Sequence, residues 1–426
     1  MSNEWINLVL GDIGKIITGK TPSTKIPGNF GGELPFVTPR DMDGRRIIKV
    51  TERYITRKGA ETVKNSIIPA DAIMMSCIGS DMGKAAIAGK TCITNQQINS
   101  IVVNRNHCSK FVYYNLSLRQ NEIRGMASGS AVPILNKNEF AKIPISLPSL
   151  IEQRAIAQVL GSLDDMIELN RQMNETLEAM ARAIFKSWFV DFDPVRAKAE
   201  GRDTGLPPDI ANLFPDSFEE SELGLIPRGW EQIAVFNIAK FVNGAAFKND
   251  DFSESSKGRP IIKIAELKNG ITPQTKFTSK ELGPKYKIDS GEILFSWSGS
   301  PDTSIDIFVW TLGPAWLNQH IFRVTENRSS DRYFIYNLLK YLKPVFIEIA
   351  RDKQTTGLGH ITEKDLKALK ICLPPEEVIM AFNNSASTIF EQFYQSILES
   401  QTLSKLRDLL LPKLISGEIR VPEANG

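Results

Sequence analysis

The chain has 426 residues, of which 42% are hydrophobic and 23% are charged, as expected for a globular protein large enough for two or three domains. Its four cysteines are far apart and form no Cys-x-x-Cys pair. This spacing argues against a disulfide framework or a zinc site and favours reduced thiols. We find no signal peptide and no apolar run of the ~18 residues that a membrane span needs, so we expect a cytoplasmic protein.

The net charge of +2 conceals an alternation along the chain. Residues 1–150 carry 19 basic and 11 acidic side chains, and residues 151–229 carry 8 and 15. Residues 230–375 carry 20 and 16, and residues 376–426 carry 4 and 7. Ordinary solvated surfaces are one explanation of these blocks. The other is that the two basic blocks face a polyanion and the acidic blocks face something else.

The first block, 1–150, is predicted to be a mixed α/β domain. β-branched runs at 47–50, 72–76 and 98–103 predict strands, and 109–125 predicts a helix. Residues 14–21 match the phosphate-loop pattern GxxxxGK[ST], but the prolines that follow prevent a helix from continuing after Thr21. We therefore predict a strand-to-loop turn here rather than a nucleotide site.

Residues 151–190 are predicted to form one long helix with apolar side chains at seven-residue spacing, which is typical of a helix that pairs with another. A polar residue, Asn170, interrupts the first row and can fix its register. The first row consists of Ile156, Leu163, Asn170, Leu177 and Ile184. The second row consists of Val159, Met166, Met173 and Met180.

Residues 191–229 contain five prolines and four glycines, which favours an extended linker. Residues 230–375 are predicted to form a second α/β domain, with a helix at 331–351. Residues 376–418 are predicted to form a second long helix and a tail. The apolar stripe of this helix consists of Phe382, Ile389, Phe393, Ile397, Leu403, Leu406 and Leu410. Two such helices favour an intramolecular antiparallel pair; alternatively, each helix packs on its own neighbouring domain.

An internal repeat relates the two α/β blocks. Five segments correspond in the same order, and the order never crosses. The pairs are 10–20 with 236–246, 34–42 with 259–267, 69–80 with 289–300, 94–103 with 317–326, and 137–148 with 363–374.

Catalytic motifs are missing from the sequence. It contains no HExxH, GxSxG or [DN]PP[FYW] motif, and its histidines (His107, His320 and His360) are isolated. The fragment Glu266-Leu-Lys268 resembles the end of a nuclease motif but lacks a nearby Pro-Asp partner. We therefore expect neither catalytic residues nor a metal site in this chain.

The whole chain resembles the specificity subunits of type I restriction-modification enzymes. The motifs that carry the resemblance include residues 19–23, 129–148, 163–195, 223–230, 294–300, 315–322, 357–375 and 409–419. The resemblance implies a mixed α/β fold with two target-recognition domains joined by two long antiparallel coiled-coil helices in a pseudo-twofold repeat. It also implies a non-catalytic subunit that reads a bipartite, asymmetric DNA target.

The same resemblance implies partners. Two methyltransferase subunits and the restriction subunits would dock on the helices and would bring S-adenosylmethionine, ATP and Mg, whereas this chain would hold no cofactor. Two other classes of function are a free-standing nuclease or methyltransferase and a coiled-coil scaffold that binds no DNA. The missing catalytic motifs oppose the first, and the basic blocks oppose the second.

Polar and basic loop residues are the candidates for DNA contacts, although each could instead be a turn or packing residue. In the first copy they are Lys20, Thr21, Ser23, Arg40 and Asp41. In the second copy they are Lys248, Trp297, Ser298, Ser300 and His320. The pairs Asn95-Gln96 and Asn318-Gln319 recur in both copies. A structural role is therefore expected for them.

Overall fold

The computed structural model describes residues 5–126, 134–253, 257–328, 331–354 and 358–421, apart from the side chain of Ser80. The motif residues 129–133 and 357 lie outside this set. The chain divides into two compact units. Unit 1 comprises Met1–Leu169 and Ser400–Gly426, and unit 2 comprises Asn170–Glu399.

Unit 1 contains two main β-sheets. Its strands are β1 (Ile6–Val9), β2 (Gly14–Thr18), β3 (Phe30–Val37), β4 (Ile47–Ile48), β5 (Arg53–Ile55), β6 (Ile67–Ile68), β7 (Ile73–Ser76), β8 (Ala85–Ala88), β9 (Cys92–Thr94), β10 (Ile98–Val103) and β11 (Pro144–Leu147). Its short helices are α1 (Leu10–Ile13), α2 (Arg57–Glu61), α3 (Ser109–Leu118), α4 (Gln120–Met126) and α5 (Lys137–Ala141). The sheets have the orders β2-β10-β7-β8-β4 and β5-β3-β9-β6, and β1 pairs with β11.

The long helix α6 (Leu150–Phe189) begins in unit 1 and continues into unit 2. The further helices of unit 2 are α7 (Asp193–Ala199), α8 (Pro208–Ala211), α9 (Ile264–Asn269), α10 (Pro301–Ser304), α11 (Arg332–Asp352) and α12 (Glu363–Ala368). The second long helix, α13 (Glu376–Ile415), runs from unit 2 back into unit 1. Pro412 lies inside its last turn and does not stop it.

Unit 2 repeats the two-sheet arrangement. Its strands are β12 (Phe218–Ser221), β13 (Gly224–Pro227), β14 (Glu231–Ala234), β15 (Ala239–Asn243), β16 (Arg259–Ile262), β17 (Phe277–Thr278), β18 (Lys287–Ile288), β19 (Ile293–Ser296), β20 (Ser298–Gly299), β21 (Asp306–Val309), β22 (Ala315–Leu317), β23 (Ile321–Glu326), β24 (Gly359–His360) and β25 (Lys370–Leu373). The sheets have the orders β15-β23-β19-β21 and β17-β16-β22-β18. Strand β14 pairs with β25 as β1 pairs with β11.

The predicted mixed α/β repeat is confirmed, with the same strand order in both units apart from β4, which is found in unit 1 alone among the described residues. In the second sheet of each unit, the parallel pair β3–β9 joins Phe36 to Ile93, and the parallel pair β16–β22 joins Ile261 to Trp316. One predicted correspondence is wrong by a residue. Strand β2 pairs Thr18 with Asn99, and β15 pairs Asn243 with Phe322. Position 18 therefore matches 243, not 244.

Each unit has a layered core. In unit 1, apolar residues of the first sheet pack against α3 and α6, with Phe111, Ile156 and Leu160 fully buried. A second cluster lies between the two sheets and includes Val37 and Met74. In unit 2, aromatic side chains fill the space between the first sheet, α11 and the long helices. Burial of this apolar surface is the main favourable contribution to the stability of each unit.

The long helices run antiparallel within each unit. In unit 1, Asp164 of α6 binds Arg407 of α13, and Glu152 binds Arg420 beyond α13. In unit 2, Asn170 donates to Glu399 (3.0 Å), and the rings of Phe185 and Phe382 are 5.9 Å apart. Residue numbers therefore fall along one helix as they rise along the other.

The second heptad row of α6 is not the one that the sequence suggests. Val159, Met166 and Met180 are exposed. The row that packs beside Ile156 and Leu177 lies four residues on rather than three, and its members Leu160, Ala181 and Trp188 are buried. The reason is that four residues make slightly more than one helical turn, so both spacings lie near one face and tertiary packing selects between them. Of the other predicted pairing residues, Asn170 and Phe382 are buried and Leu163, Ile184, Ile389, Phe393 and Leu403 are half-buried.

The prediction of an extended linker at 191–229 is wrong. This segment forms α7, α8 and the hairpin β12–β13. Its Val195 and Phe214 are buried in the main core of unit 2, where Phe214 meets Trp188. Its prolines begin helices and end strands instead of keeping the chain extended. Among the helices of the described residues, none is both long and apolar enough to cross a membrane.

Candidate nucleic-acid interface

In each unit, three connections meet at one end of the strands of the first sheet. Strand β10 lies antiparallel to both β2 and β7, so the residues after β2, after β7 and before β10 meet. The same holds for β15, β19 and β23 in unit 2. We call this end of the sheet, together with its connections, the loop edge. It comprises residues 19–23, 77–80 and 95–97 in unit 1, and residues 244–248, 297–300 and 318–320 in unit 2.

A glycine joins two of these connections in each copy. A Cβ atom on Gly19 would lie 2.0 Å from the carbonyl oxygen of Asn95, and one on Gly244 would lie 2.2 Å from that of Asn318. The Gly19 N–H donates to Ile98 O (3.0 Å), and the Gly244 N–H donates to Ile321 O (3.2 Å). The glycine of the apparent phosphate loop is thus required by backbone contact, and no helix follows it.

The loop edge of unit 1 presents cationic and polar side chains. Lys20, Ser23 and Arg40 are exposed. The Thr21 hydroxyl donates to Gln96 Oε1 (2.7 Å) and so links two connections. Arg40 follows β3, next to the end of the parallel strand β9, where the Asn95 N–H donates to Val37 O (2.9 Å). Lys20, Thr21 and Ser23 therefore lie at the loop edge, and Arg40 lies beyond it after β3. The side chains of Lys20, Ser23 and Arg40 are exposed, whereas the Thr21 hydroxyl is bonded to Gln96.

Asp41 differs from the other candidates because it is buried and already bonded. Its carboxylate accepts hydrogen bonds from the backbone and hydroxyl of Thr38 (both 2.8 Å) and from the Glu52 N–H (2.9 Å). At the matching position, Glu266 accepts from the Lys263 N–H and the Thr275 hydroxyl. Both acids close the same turn. This shared role accounts for Asp41 and also for the nuclease-like Glu266-Leu-Lys268 fragment.

The loop edge of unit 2 is built around an aromatic pair. The Trp297 indole N–H donates to Asn243 Oδ1 (2.9 Å), and its ring lies 5.7 Å from that of His320. The His320 Nε2 in turn lies 3.3 Å from Gln319 Nε2. These polar atoms and the His320 ring are exposed at the edge. Gln319 and His320 can donate and accept hydrogen bonds to base edges, whereas the Trp297 N–H is already bonded to Asn243, which leaves its ring for apolar contact.

The three other candidates of unit 2 have local structural roles. Ser298 pairs with His360 through the short strands β20 and β24. Ser300 precedes α10. Lys248 is exposed, while its backbone N–H donates to Asp251 Oδ2 (2.9 Å). Lys248 therefore keeps its ammonium group available, whereas Ser298 is partly committed to the sheet.

The repeated Asn-Gln pairs combine two roles. Asn95 Oδ1 accepts from the Gln97 N–H (3.0 Å), and Asn318 Oδ1 accepts from the His320 N–H (3.4 Å). These asparagines shape the same turn in both copies. Gln96 and Gln319 are instead exposed at the loop edge.

Sequence reasoning missed two positions of this edge. Asn243 orients Trp297, and Gln97 occupies the position that His320 holds in unit 2. The signal for Gln97 was available, because the alignment of 94–103 with 317–326 places it opposite His320. No such signal existed for Asn243, since the correct register depended on strand pairing.

No metal centre is visible in the part of the chain that the structure describes, where no three His, Cys, Asp or Glu side chains cluster. All four cysteines are free, and Cys77 and Cys92 are buried. Burial raises the pKa of the Cys77 thiol to about 11 and that of Cys92 to about 12. These two thiols therefore remain protonated near neutral pH and are poor nucleophiles.

Comparison with known proteins identifies the class to which this architecture belongs. A family described as the type I restriction modification DNA specificity domain matches residues 2–179 and again residues 227–407. The match occurs twice, as the internal repeat requires. The chain therefore belongs to the family of type I restriction-modification specificity subunits, which are non-catalytic DNA-recognition subunits.

Individual relatives agree over most of the chain. The MjaIX specificity subunit of Methanocaldococcus jannaschii is 29% identical over 99% of this chain and 94% of its own length. The HindI specificity subunit of Haemophilus influenzae is 27% identical over 67% of this chain and 71% of its own. A crystal structure of a type I system S subunit from M. genitalium covers 97% of both chains with a TM-score of 0.57 at 16% identity. That structure supports the fold.

Proposed function

We propose that the two loop edges read the two halves of a bipartite, asymmetric DNA target. The observation that carries this proposal is that the same edge recurs on the same scaffold with different side chains. Position 97 is Gln in unit 1 and its match is His320 in unit 2, while Cys77 matches Trp297. Because base edges are distinguished by the hydrogen-bond groups that meet them, different side chains specify different sequences.

Basic side chains would hold the phosphates while these groups read bases. Lys20 in unit 1 and Lys248 in unit 2 are exposed at the loop edges, and Arg40 is exposed after β3 in unit 1. Lysine contacts to phosphate position the protein without selecting sequence, and they make affinity salt-dependent. We therefore assign Lys20, Arg40 and Lys248 to the DNA backbone, and Thr21, Gln96, Trp297 and His320 to bases.

Methyltransferase subunits would dock on the long helices. Exposed apolar side chains are expected at such interfaces. Helix α6 exposes Val159, Met166 and Leu169 in unit 1, and helix α13 exposes Leu406 and Leu409 there. We propose that two methyltransferase subunits and the restriction subunits assemble with this chain, and that they carry the S-adenosylmethionine, ATP and Mg. Met166→Asp should weaken capture of the methyltransferase subunit without changing the fold, because Met166 is exposed.

Substitutions at the loop edges test the reading of two half-sites. In the assembled methyltransferase, His320→Ala should relax specificity in one half-site by about 1–3 kcal/mol per contacted base pair and leave the other half unchanged. Lys20→Ala should weaken binding to all sequences and lower the slope of log affinity against log salt by about 1. Lys142→Ala is the matched control, because Lys142 lies far from the loop edge. It follows α5, and α5 contacts Gly11, which precedes β2 at the opposite end of the strand from the loop edge.

The result that would overturn the proposal is a change in both half-sites from His320→Ala, measured by methylation mapping. An equal effect of Lys142→Ala and Lys20→Ala on the salt slope would also count against it.

Replacing residues 1–150 with the corresponding domain of a relative should likewise alter only one half-site.

The long helices are proposed to set the spacing between the half-sites. Four residues inserted after Leu169 and four after Glu399 would lengthen both helices by about 6 Å, and the preferred spacer should grow by about two base pairs. Two-residue insertions at the same points rotate the helix faces by about 200° and should abolish assembly. An unchanged spacer in the first variant would show that the helices do not set it.

A further inference from the structure

Unit 2 contains an open cavity at a place that unit 1 fills with its own chain. The cavity has a volume of about 280 Å³ and lies between the first sheet, α11 and α13. Most of its lining is aromatic or aliphatic, with one exposed acid, Glu391, at its margin. The lining includes Ile293, Val309, Tyr336, Phe390, Glu391 and Phe393.

The internal repeat identifies the matching place in unit 1. Strand β7 pairs Ile73 with Ile87, and strand β19 pairs Ile293 with Val309. Positions 73 and 87 thus correspond to 293 and 309. In the long helices, the fully buried Ile156 of α6 matches the fully buried Phe382 of α13. The same offset in residue number matches Asp165 with Glu391. The sheet wall and the helix wall of the cavity therefore both have counterparts in unit 1.

Residues 45–48 occupy that place in unit 1. Strand β4 adds to the edge of the first sheet, parallel to β8, where Ile47 pairs with Ile87. The Ile87 N–H donates to Arg46 O (2.8 Å). Ile47 packs against the helix-side core. The Arg46 guanidinium donates to the Tyr114 hydroxyl (3.0 Å) and forms an ion pair with Asp165.

Unit 2 lacks this strand. The residues that match β4, 272–273, follow α9 and form no strand, and β21 is the last strand of its sheet among the described residues. Glu391 is exposed and forms no ion pair within the part of the chain that the structure describes. The neighbouring Arg332 is already paired with Glu326 (3.1 Å). Unit 2 therefore has the exposed edge of β21, the apolar cavity and Glu391, but it lacks the segment that contacts the matching positions in unit 1.

We propose that this cleft binds an extended segment of a partner protein, which adds as a strand parallel to β21. The segment carries an arginine followed by branched aliphatic residues, as Arg46-Ile47-Ile48 does in unit 1. Its backbone pairs with the outer edge of β21, an aliphatic side chain enters the cavity, and its arginine binds Glu391. Strand addition supplies affinity through the backbone and specificity through the alternate side chains. The proposal is independent of the DNA target.

The chain itself supplies the probe. The peptide Asp-Gly-Arg-Arg-Ile-Ile-Lys-Val, residues 43–50, labelled and capped, is titrated into the full-length protein, and binding is followed by fluorescence anisotropy. We expect saturable binding that Glu391→Lys weakens tenfold or more. Val309→Pro should weaken it similarly, because it removes the backbone donor at the position of Ile87. Glu377→Lys, on the same helix but away from the cavity, is the matched control and should have no effect.

A charge exchange separates the ion pair from general damage to the fold. A peptide with Glu in place of Arg46 should bind the Glu391→Lys protein better than it binds the unaltered protein. Hydrogen exchange at 306–309 should slow on binding in the unaltered protein. Absence of saturable binding at about 1 mM peptide, which corresponds to only about −4 kcal/mol, would overturn the proposal. Binding that is equal in the Glu391→Lys and Glu377→Lys proteins would also overturn it.

Discussion

Asp164 in unit 1 and Phe390 in unit 2 hold the same position in the repeat, and the two units use that position in opposite ways. Asp164 accepts hydrogen bonds from the Tyr114 hydroxyl (2.6 Å) and from Arg407 (2.8 Å). Phe390 instead stacks on Tyr333, with ring centroids 4.5 Å apart, and meets Tyr336 edge-on. At this position, unit 1 therefore contacts the long helices through a polar network and unit 2 through aromatic packing.

This difference shows which part of the architecture is constrained. Strand order and register are shared apart from β4, whereas the chemistry of the helix contact is not. A buried carboxylate requires bonded partners, and burial together with Asp164 raises the pKa of Tyr114 well above its ordinary value, so Tyr114 remains a donor. Aromatic rings require only apolar area and suitable angles. Substitutions should consequently have different signatures in the two units.

The largest effect is expected at Phe382, which lies at the centre of the aromatic contact. Its ring is fully buried and lies 5.1 Å from that of Phe189 and 6.0 Å from that of Trp188. Phe382→Ala should lower the stability of unit 2 by about 3–5 kcal/mol, because it leaves a cavity. Urea unfolding followed by tryptophan fluorescence reports on this unit, since five of the six tryptophans lie in it.

Met380→Ala provides the control for Phe382→Ala. Met380 is on the same helix but is 45% exposed, so its truncation should change stability by less than about 0.5 kcal/mol. Similar losses from the two substitutions would mean that the aromatic cluster is not what fastens unit 2 to the helices.

The shared part of the architecture was predictable from sequence, and the differing part was not. Heptad spacing and repeated segments reveal helices and strands because both depend on periodic burial. The choice between Val159 and Leu160 as seam residues depends on which neighbours pack against the helix. The fold of residues 191–229 depends on the pocket that receives Phe214. Both are tertiary effects that local sequence does not encode.

The loop edges were predictable to a similar extent. Polar loop residues such as Lys20 and His320 could be selected from the motifs around them, and the structure places them at corresponding edges. Asp41 could not be distinguished from them, because its bonds to Thr38 and Glu52 arise only when the turn closes. The cleft beside β21 was not predictable either, since it depends on residues that form a strand in one copy and none in the other.

An intermediate effect is expected from Asp164, which tests the polar side of the comparison. Asp164→Ala leaves the Tyr114 hydroxyl and Arg407 without their shared acceptor, which should cost unit 1 about 2–3 kcal/mol. Hydrogen exchange of α3 measures the loss. Asp165→Ala is the control, because the Asp165 side chain is 67% exposed and its ion pair should contribute less than about 1 kcal/mol. Equal effects at the two neighbouring acids would contradict the idea of a specific network.

The smallest effect is expected at Asp306, where unit 2 has an ionic cluster of its own. The Asp306 carboxylate binds Lys340 (3.1 Å) and Lys343 (2.6 Å). Burial raises the pKa of Asp306, but the two lysines outweigh it, so the pKa lies below its ordinary value of 3.8. Asp306→Asn should therefore lower the stability of unit 2 by about 1 kcal/mol at neutral pH.

The pH dependence decides whether charge is the cause of that loss. A carboxylate whose pKa is lower in the folded state than in the unfolded state stabilises the fold above the unfolded pKa, and this stabilisation disappears as the pH falls through the folded pKa. The difference between the Asp306→Asn protein and the unaltered protein should hold constant from pH 7 to about pH 5 and shrink below about pH 4. Urea unfolding followed by tryptophan fluorescence at each pH measures it. A difference that persists undiminished at about pH 3 would mean that Asp306 stabilises unit 2 through packing and not through its charge.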